Sequence, residues 1–351
     1  MRKLMFCALL ATSLTAMAQT EVSPYTPGVN AEGVTYMLPR TLIKVDVLVE
    51  GEHYTPGEYA KYAERYLRLP NVQTDQLDTY TIKDLHLDVL GKPDTTKVFT
   101  VKLKDKTIAP MVKLSESGLL LAINAPASEY ETFKGFEESK SGKMYNSRDF
   151  MTEEILMAGS TAKTAELCAQ EIYNIRESKN SLNRGQADFM PTDGKQMEIM
   201  VNNLNEQEAA LMQMFTGYTL KETKAYTFYI DPSADIKKQI LFRFSQRLGL
   251  VDKDDLSGTP IYIDVTDQHT VPSEPVIVDK KPKKLTGVQY TLPSKAKVAI
   301  YNAKNKMLDA EIAVAQFGNV ETLDSSLFNK KLTTKIIFFD VTGGIKSIEA
   351  E

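Results

Sequence analysis

The sequence predicts an α+β fold, with β-rich modules at the N-terminal and C-terminal ends and a helical hairpin at the centre. Three observations carry this. β-branched, alternating runs crowd residues 33–125 and return after residue 225; two stretches of helical periodicity lie between about 160 and 217; and turn residues separate the two kinds of segment.

The first residues read as an export signal. Met1-Arg2-Lys3 is a short positive n-region, Leu4 to Leu14 an apolar h-region, and Ala16-Met17-Ala18 a small-x-small cleavage site. Residues 1–18 are therefore expected to be removed by a cut between Ala18 and Gln19. The apolar run is too short to span a bilayer, and later ones such as Leu119 to Ile123 are shorter still, so no transmembrane anchor is expected. A lipid anchor would need a cysteine directly after the h-region, whereas Cys7 lies inside it.

The formal net charge is −4, and loss of Arg2 and Lys3 makes it more negative, which argues against nucleic acid as a partner. A chain of 351 residues suggests about two domains on a prior of ~150 residues each. Without Cys7, Cys168 stands alone and no disulfide can form within the chain, so burial has to hold the fold together.

Residues 19–32, polar and containing Pro24 and Pro27, read as an extended tail, with order expected from Gly33. Tyr36 to Leu38 and Leu42 to Val49 read as strand, the second buried mainly on the face of Ile43, Val45, Val47 and Val49. Pro56-Gly57 opens a helix to about Leu69, with Tyr59, Ala60, Tyr62, Ala63, Tyr66 and Leu67 on one arc. Strands are expected at Tyr80 to Leu90 and Lys97 to Leu103, divided by a turn at Gly91-Lys92-Pro93-Asp94, and again around Val112 and Gly118 to Asn124. Together 33–125 form an N-terminal β-rich module with one helix.

In the central segment, 126–269, Ala165, Cys168, Ile172, Ile175 and Leu182 recur at helical spacing and stop at Asn183-Arg184-Gly185. A second helical pattern follows Asp193 and ends near Gly217, and the short connector implies an antiparallel hairpin. Strands follow at Ala225 to Ile230, Gln239 to Phe244 and Pro260 to Val265. Residues 270–286, rich in proline and lysine, suit a linker. The C-terminal β module, 287–351, opens with Gly287 to Pro293, which matches Gly33 to Pro39 at five of seven positions. Its strands are expected near Val298 to Tyr301, Glu311 to Phe317, Thr334 to Asp340 and Ile345 to Glu349, the last two turned at Thr342-Gly343-Gly344.

Several segments, in order, carry a family resemblance: Gly33 to Thr41, Pro56 to Leu67, Glu171 to Gly194, Leu241 to Ile263, Gly287 to Pro293 and Val314 to Gly318. Together they resemble a family of exported Bacteroidetes proteins known as a domain of unknown function. The resemblance implies a Gram-negative envelope setting, most simply the periplasm, and carries over no functional residue.

The chemical motifs are weak. Ser160-Thr161-Ala162-Lys163 matches the S-x-x-K of penicillin-binding enzymes, and Ser181-Leu182-Asn183 supplies S-x-N, but Lys140-Ser141-Gly142 precedes the serine, in the wrong order. Ser294 to Lys297 is a second S-x-x-K. A serine just before a helical repeat is more often an N-cap. Asp252 to Gly258 resembles a calcium loop, yet Leu256 takes the fifth position, the glycine comes one residue late, and Ile263 stands where the terminal glutamate belongs; a solvated acidic loop is the favoured reading. His53, His86 and His269 are scattered singly, without a metal-binding spacing. Tyr59, Tyr62 and Tyr66 could stack on sugars, but packing against the sheet fits their arc better. Cys168 reads as a small core residue, Lys280 to Lys284 as a solvated run, and the pairs Glu137-Glu138 and Glu153-Glu154 cannot be ranked without their spacing in space. No nucleophile elbow, phosphate loop or dinucleotide fingerprint occurs, and no cofactor is called for. The sequence thus points to a non-catalytic envelope protein binding another protein or a glycan. The alternative is a hydrolase of peptidoglycan, polysaccharide or peptide, which needs a pocket of convergent acids or a Ser160–Lys163 hydrogen bond.

Overall fold

A computed structural model describes residues 21–25, 33–102, 111–127, 130–272, 287–324, 327 and 334–350. The leader, with Ala18 and Gln19, and residues 273–286, with Lys280 to Lys284, lie outside the described residues.

In chain order the strands begin with β1 (Glu21–Pro24), β2 (Val34–Thr55), β3 (Leu77–Lys102), β4 (Val112–Leu114), β5 (Leu120–Ile123) and β6 (Lys140–Ser141). After the helical segment come β7 (Tyr218–Ile230), β8 (Ile236–Ser245), β9 (Gly249–Val251) and β10 (Thr259–Asp267), then β11 (Gly287–Tyr301), β12 (Lys306–Asp324), β13 (Thr334–Phe338) and β14 (Ile345–Ala350). The helices are α1 (Ala63–Leu67), α2 (Glu153–Leu156), α3 (Thr161–Asn183) and α4 (Gly194–Thr216). The class is α+β.

Three antiparallel sheets form, in the orders β1-β3-β2-β7-β6, β12-β11-β10-β8-β9 and β14-β13-β5-β4. Each joins strands from separate stretches of the sequence: β1, β2 and β3 with β6 and β7; β8, β9 and β10 with β11 and β12; and β4 and β5 with β13 and β14. The first two sheets face one another. Ile43, Val45, Val47 and Val49 of β2, all buried, meet Phe242, Ile261, Ile263, Val298 and Ile300 of the second sheet. Burying each such side chain is worth roughly 1.5–3 kcal/mol. Strand β2 runs across the second sheet from edge to edge: Thr41 bonds to β12, while Tyr80, paired with Gly51, lies against Gly249 of β9. The packing is crossed rather than aligned. A separate core joins Tyr36, Leu38 and Val288 to Leu120, Ile123, Ile336 and Phe338, seating the third sheet on the start of both long hairpins.

Local structure departs from the sequence expectations where tertiary contacts intervene. The expected tail contributes β1, because Glu21–Pro24 pair with Phe99–Lys102 on the outer edge of β3. The turn at Gly91-Lys92-Pro93-Asp94 does not reverse the chain. Met37 pairs with Val98 and Pro39 with Pro93, so Asp94–Lys97 loops out as a four-residue bulge and β3 continues beside β2. The Asp94 carboxylate closes that loop, accepting from the Thr96 hydroxyl (2.6 Å) and N–H (3.0 Å). The helix expected from Pro56 to Leu69 is a 3₁₀ turn, Ala60–Tyr62, followed by the short α1, which ends at Arg68 in the left-handed region.

The central helices form as their spacing predicts. Asp193 caps α4, and Gly217 ends it. Arg176 and Lys179 of α3 both reach Glu208 of α4, and Lys179 also reaches Asn205, so partner numbers fall as α3 advances and the hairpin is antiparallel. Its core holds Ala165, Cys168 and Ile172 against Leu211 and Phe215, together with Tyr59 and Ala63.

Candidate ligand cleft

The fold disperses the motifs singled out in the sequence. The Ser160 hydroxyl accepts from the Lys163 backbone N–H (3.3 Å) and caps α3, while the Lys163 ammonium pairs with Glu166 at 3.0 Å. Lys140 lies on the first sheet, paired with Glu222, and Ser181 sits near the far end of α3. Ser294 is fully buried and donates to Asp267 (2.6 Å), fixing the end of β10 onto β11. In the acidic loop, Arg243 already supplies the cation: its Nε donates to the Lys253 carbonyl (2.6 Å) and its Nη1 to the Gly258 carbonyl (3.0 Å). Ser257 hydrogen bonds hold the Asp255 carboxyl below the usual carboxylate range.

The three histidines stay apart. His53 pairs with Asp78 (2.9 Å) and faces Glu222 (3.6 Å), His86 lies tilted against the Phe133 ring, and His269 pairs with Asp267. Among the described residues no cluster of three or more metal-ligating side chains forms. The Tyr59, Tyr62, Tyr66 arc packs against the helical hairpin rather than against the sheet expected to cover it, because α1 is short and α3 and α4 supply the nearest apolar surface. Burial pushes the Tyr59 hydroxyl up to about 12 and the Cys168 thiol up to about 12, leaving both in their neutral forms. Glu138 accepts from the Ala225 N–H, and Glu153 and Glu154 occupy the first turn of α2, where carboxylates meet the positive end of the helix dipole favourably.

No single motif marks the cleft that the fold does build. It lies where the ends of the second sheet stand over Tyr80, Thr81 and Ile82 of β3, and its volume is about 630 Å³. Its apolar wall is Ile82, Phe244, Ile261 and Met307, and its rim carries Gln246, Ser257, Thr259, Asn302 and Asn305. The charged lining residues are Arg247 and Lys304; no carboxylate lines it. Ile261 is buried, whereas Ile82, Phe244 and Met307 are covered on one side only, so the central core frays here into an accessible apolar surface.

Tyr80 anchors one end. Its N–H donates to the Gln246 carbonyl (2.9 Å), and its ring lies flush against Gly249, whose φ of +75° and missing side chain leave the ring its place. His53 meets the same ring edge-on, with centroids 5.6 Å apart. Strands supply both walls, which gives the cleft a rigid frame. A second cavity, of about 730 Å³, lies between α3 and α4 and includes Glu177 and Asp188, but the interhelical connector Gln186 to Phe189 forms much of its lining. Sequence reasoning missed the first cleft because its residues come from four separate strand ends; the one local signal was the turn Asn302 to Asn305.

Among the described residues no helix is long and apolar enough to cross a membrane. No curated protein and no solved structure matches the chain. A family model described as "Domain of unknown function (DUF4831)" matches residues 32–346, nearly all of the described sheets and helices, and the chain belongs to that family.

Proposed function

We propose that this is an exported, non-catalytic binding protein of the cell envelope, and that the cleft between β3 and the second sheet holds its partner, an envelope protein or glycan. The observation that carries this reading is the composition of the cleft: an apolar wall, a neutral polar rim, two cations and no carboxylate. Such a lining recognises and orients a ligand. Acid and base work on a glycosidic bond needs two carboxyl groups flanking it. A serine nucleophile needs a base within hydrogen-bond reach, and Lys163 is instead bound to Glu166. Export rests on the leader, residues 1–18.

The test compares the full mature chain with Met307→Arg, which places a charge against the apolar wall. Capture from solubilised envelope and binding to a glycan array are expected for the wild type and lost in the variant, with the thermal midpoint unchanged. Equal capture by both proteins, or turnover of peptidoglycan or polysaccharide by the wild type, would overturn the reading.

A further inference from the structure

We infer that the ligand of this cleft is an extended peptide that adds as a strand to the free edge of β3 and turns an acidic group toward Arg247 and Lys304. The inference rests on the reading of the cleft as the binding site.

The backbone supplies the first argument. Beside Tyr80, strand β3 has β2 on one side only, since β1 covers just Phe99–Lys102 at the far end. The Tyr80 N–H points away from β2, toward Gln246, so the Tyr80 carbonyl points outward too. Ile82 lies on the same face of the strand, and its N–H and C=O share that direction. Between Ile82 and Asp84 a bulge shifts the register, and beyond it the edge is guarded. The Leu85 N–H donates to the Asp84 side chain and the Val89 N–H to the Asp88 side chain, each at 2.8 Å. Capping outward donors in this way stops strand addition along an edge. Within the cleft, no side chain or turn among the described residues takes the backbone groups of Ile82. The edge is capped at Leu85 and Val89 and carries no such cap at Ile82, where an apolar wall stands beside it.

The side chains supply the second argument. A strand laid beside Ile82 would send alternate residues toward Phe244, Ile261 and Met307. Arg247 and Lys304 form no salt bridge with another described residue, and no carboxylate in the lining balances them. Charge complementarity therefore favours an aspartate, a glutamate or a terminal carboxylate on the peptide. A glycan would satisfy the polar rim but would leave the strand-edge groups and the alternating apolar contacts unused.

The probe is a phage-displayed random heptapeptide library panned against the full mature chain, followed by synthesis of the enriched peptides. Enrichment of sequences with apolar residues at alternate positions and at least one acid is expected. By NMR, the bound peptide should slow hydrogen exchange of the Ile82 amide at least tenfold. Calorimetry should show at least tenfold weaker binding to Arg247→Glu/Lys304→Glu and none to Met307→Arg, all with unchanged thermal midpoints. Enriched peptides that leave Ile82 exchange unaltered, or bind the charge-reversed variant equally well, would overturn the inference. Glycan capture abolished by Met307→Arg, with no peptide enriched, would overturn the peptide assignment and keep the cleft. Indifference of every ligand to Met307→Arg would remove both.

Discussion

The two long hairpins, β2–β3 and β11–β12, begin with nearly the same heptapeptide and are built alike, yet the molecule uses them differently. Each carries a four-residue bulge on the strand opposite the end of the shared segment: Asp94–Lys97 opposite Leu38 in the first, and Ala315–Gly318 opposite Pro293 in the second, where Leu292 pairs with Asn319 and Ser294 with Val314. The third residue from the end of each heptapeptide is sealed by a glycine carbonyl in a turn of the third sheet: the Met37 N–H by Gly118 and the Thr291 N–H by Gly343, both at 3.0 Å. The two ends of the chain therefore share an arrangement of long strand pair, bulge and short hairpin.

The copies part company at the tyrosine. The Tyr36 hydroxyl is buried between the hairpins, accepts from the Gln289 N–H (2.8 Å) and donates to the Gln289 carbonyl (3.1 Å). Burial pushes its phenol well above the usual range. The equivalent Tyr290 is only half-buried. The bulges differ in the same sense. Asp94 closes the first on itself, whereas the second is latched to its neighbour, with the Ala315 N–H donating to the Thr41 hydroxyl and the Gln316 amide making two bonds to the Thr41 backbone. Between the two hairpins, the first copy supplies the tyrosine and the second supplies the latch.

That asymmetry can be broken in steps. The largest effect is expected from Gly318→Ala, whose new Cβ would run into the Leu292 carbonyl within the second bulge. Overpacking against backbone should cost about 3 kcal/mol in urea unfolding. Tyr36→Phe comes next: it leaves a buried N–H and C=O of Gln289 without partners, for a loss of about 2 kcal/mol. The matching Tyr290→Phe should stay within about 0.5 kcal/mol, and equal losses at the two tyrosines would end the distinction between the copies.

The smallest effect is a pH dependence of the self-closed bulge. Burial raises the Asp94 pKa, but the Thr96 hydroxyl and N–H, with Lys97 and Arg40 nearby, more than offset it and hold the carboxyl below its ordinary value of 3.8. A depressed folded pKa means that this contribution, about 1 kcal/mol, is complete above the ordinary pKa and is lost as pH falls through the folded value. Asp94→Asn should flatten the acid limb of the stability curve below pH 4 and leave Gly318→Ala and Tyr36→Phe additive with it. An acid limb unchanged by the substitution would place the titrating group elsewhere.

Legibility followed the range of the interactions. The hairpin α3–α4 was readable because its signals are local: Ser160 and Asp193 at the caps, a run from Ala165 to Leu182 on one face, and Gly217 at the stop. The inward face of β2 was readable for the same reason, from the alternation of Ile43, Val45, Val47 and Val49. Gly91 to Asp94 misled because turn residues fit a bulge as well as a reversal, and only the continuation of β2 opposite them decides which forms. Glu21 to Pro24 looked like tail because a short polar segment becomes a strand only when an edge is offered to it.

The sequence by itself determined the α+β class, the positions of the two central helices and of most strands, and the likeness of Gly33–Pro39 to Gly287–Pro293, since propensity, capping and periodicity act over a few neighbouring residues. Tertiary structure decided which strands share a sheet, which tyrosine turns inward, and where β3 leaves Ile82 open beneath Met307. Those outcomes depend on backbone and side chains brought together from opposite ends of the chain, a juxtaposition that no local pattern encodes.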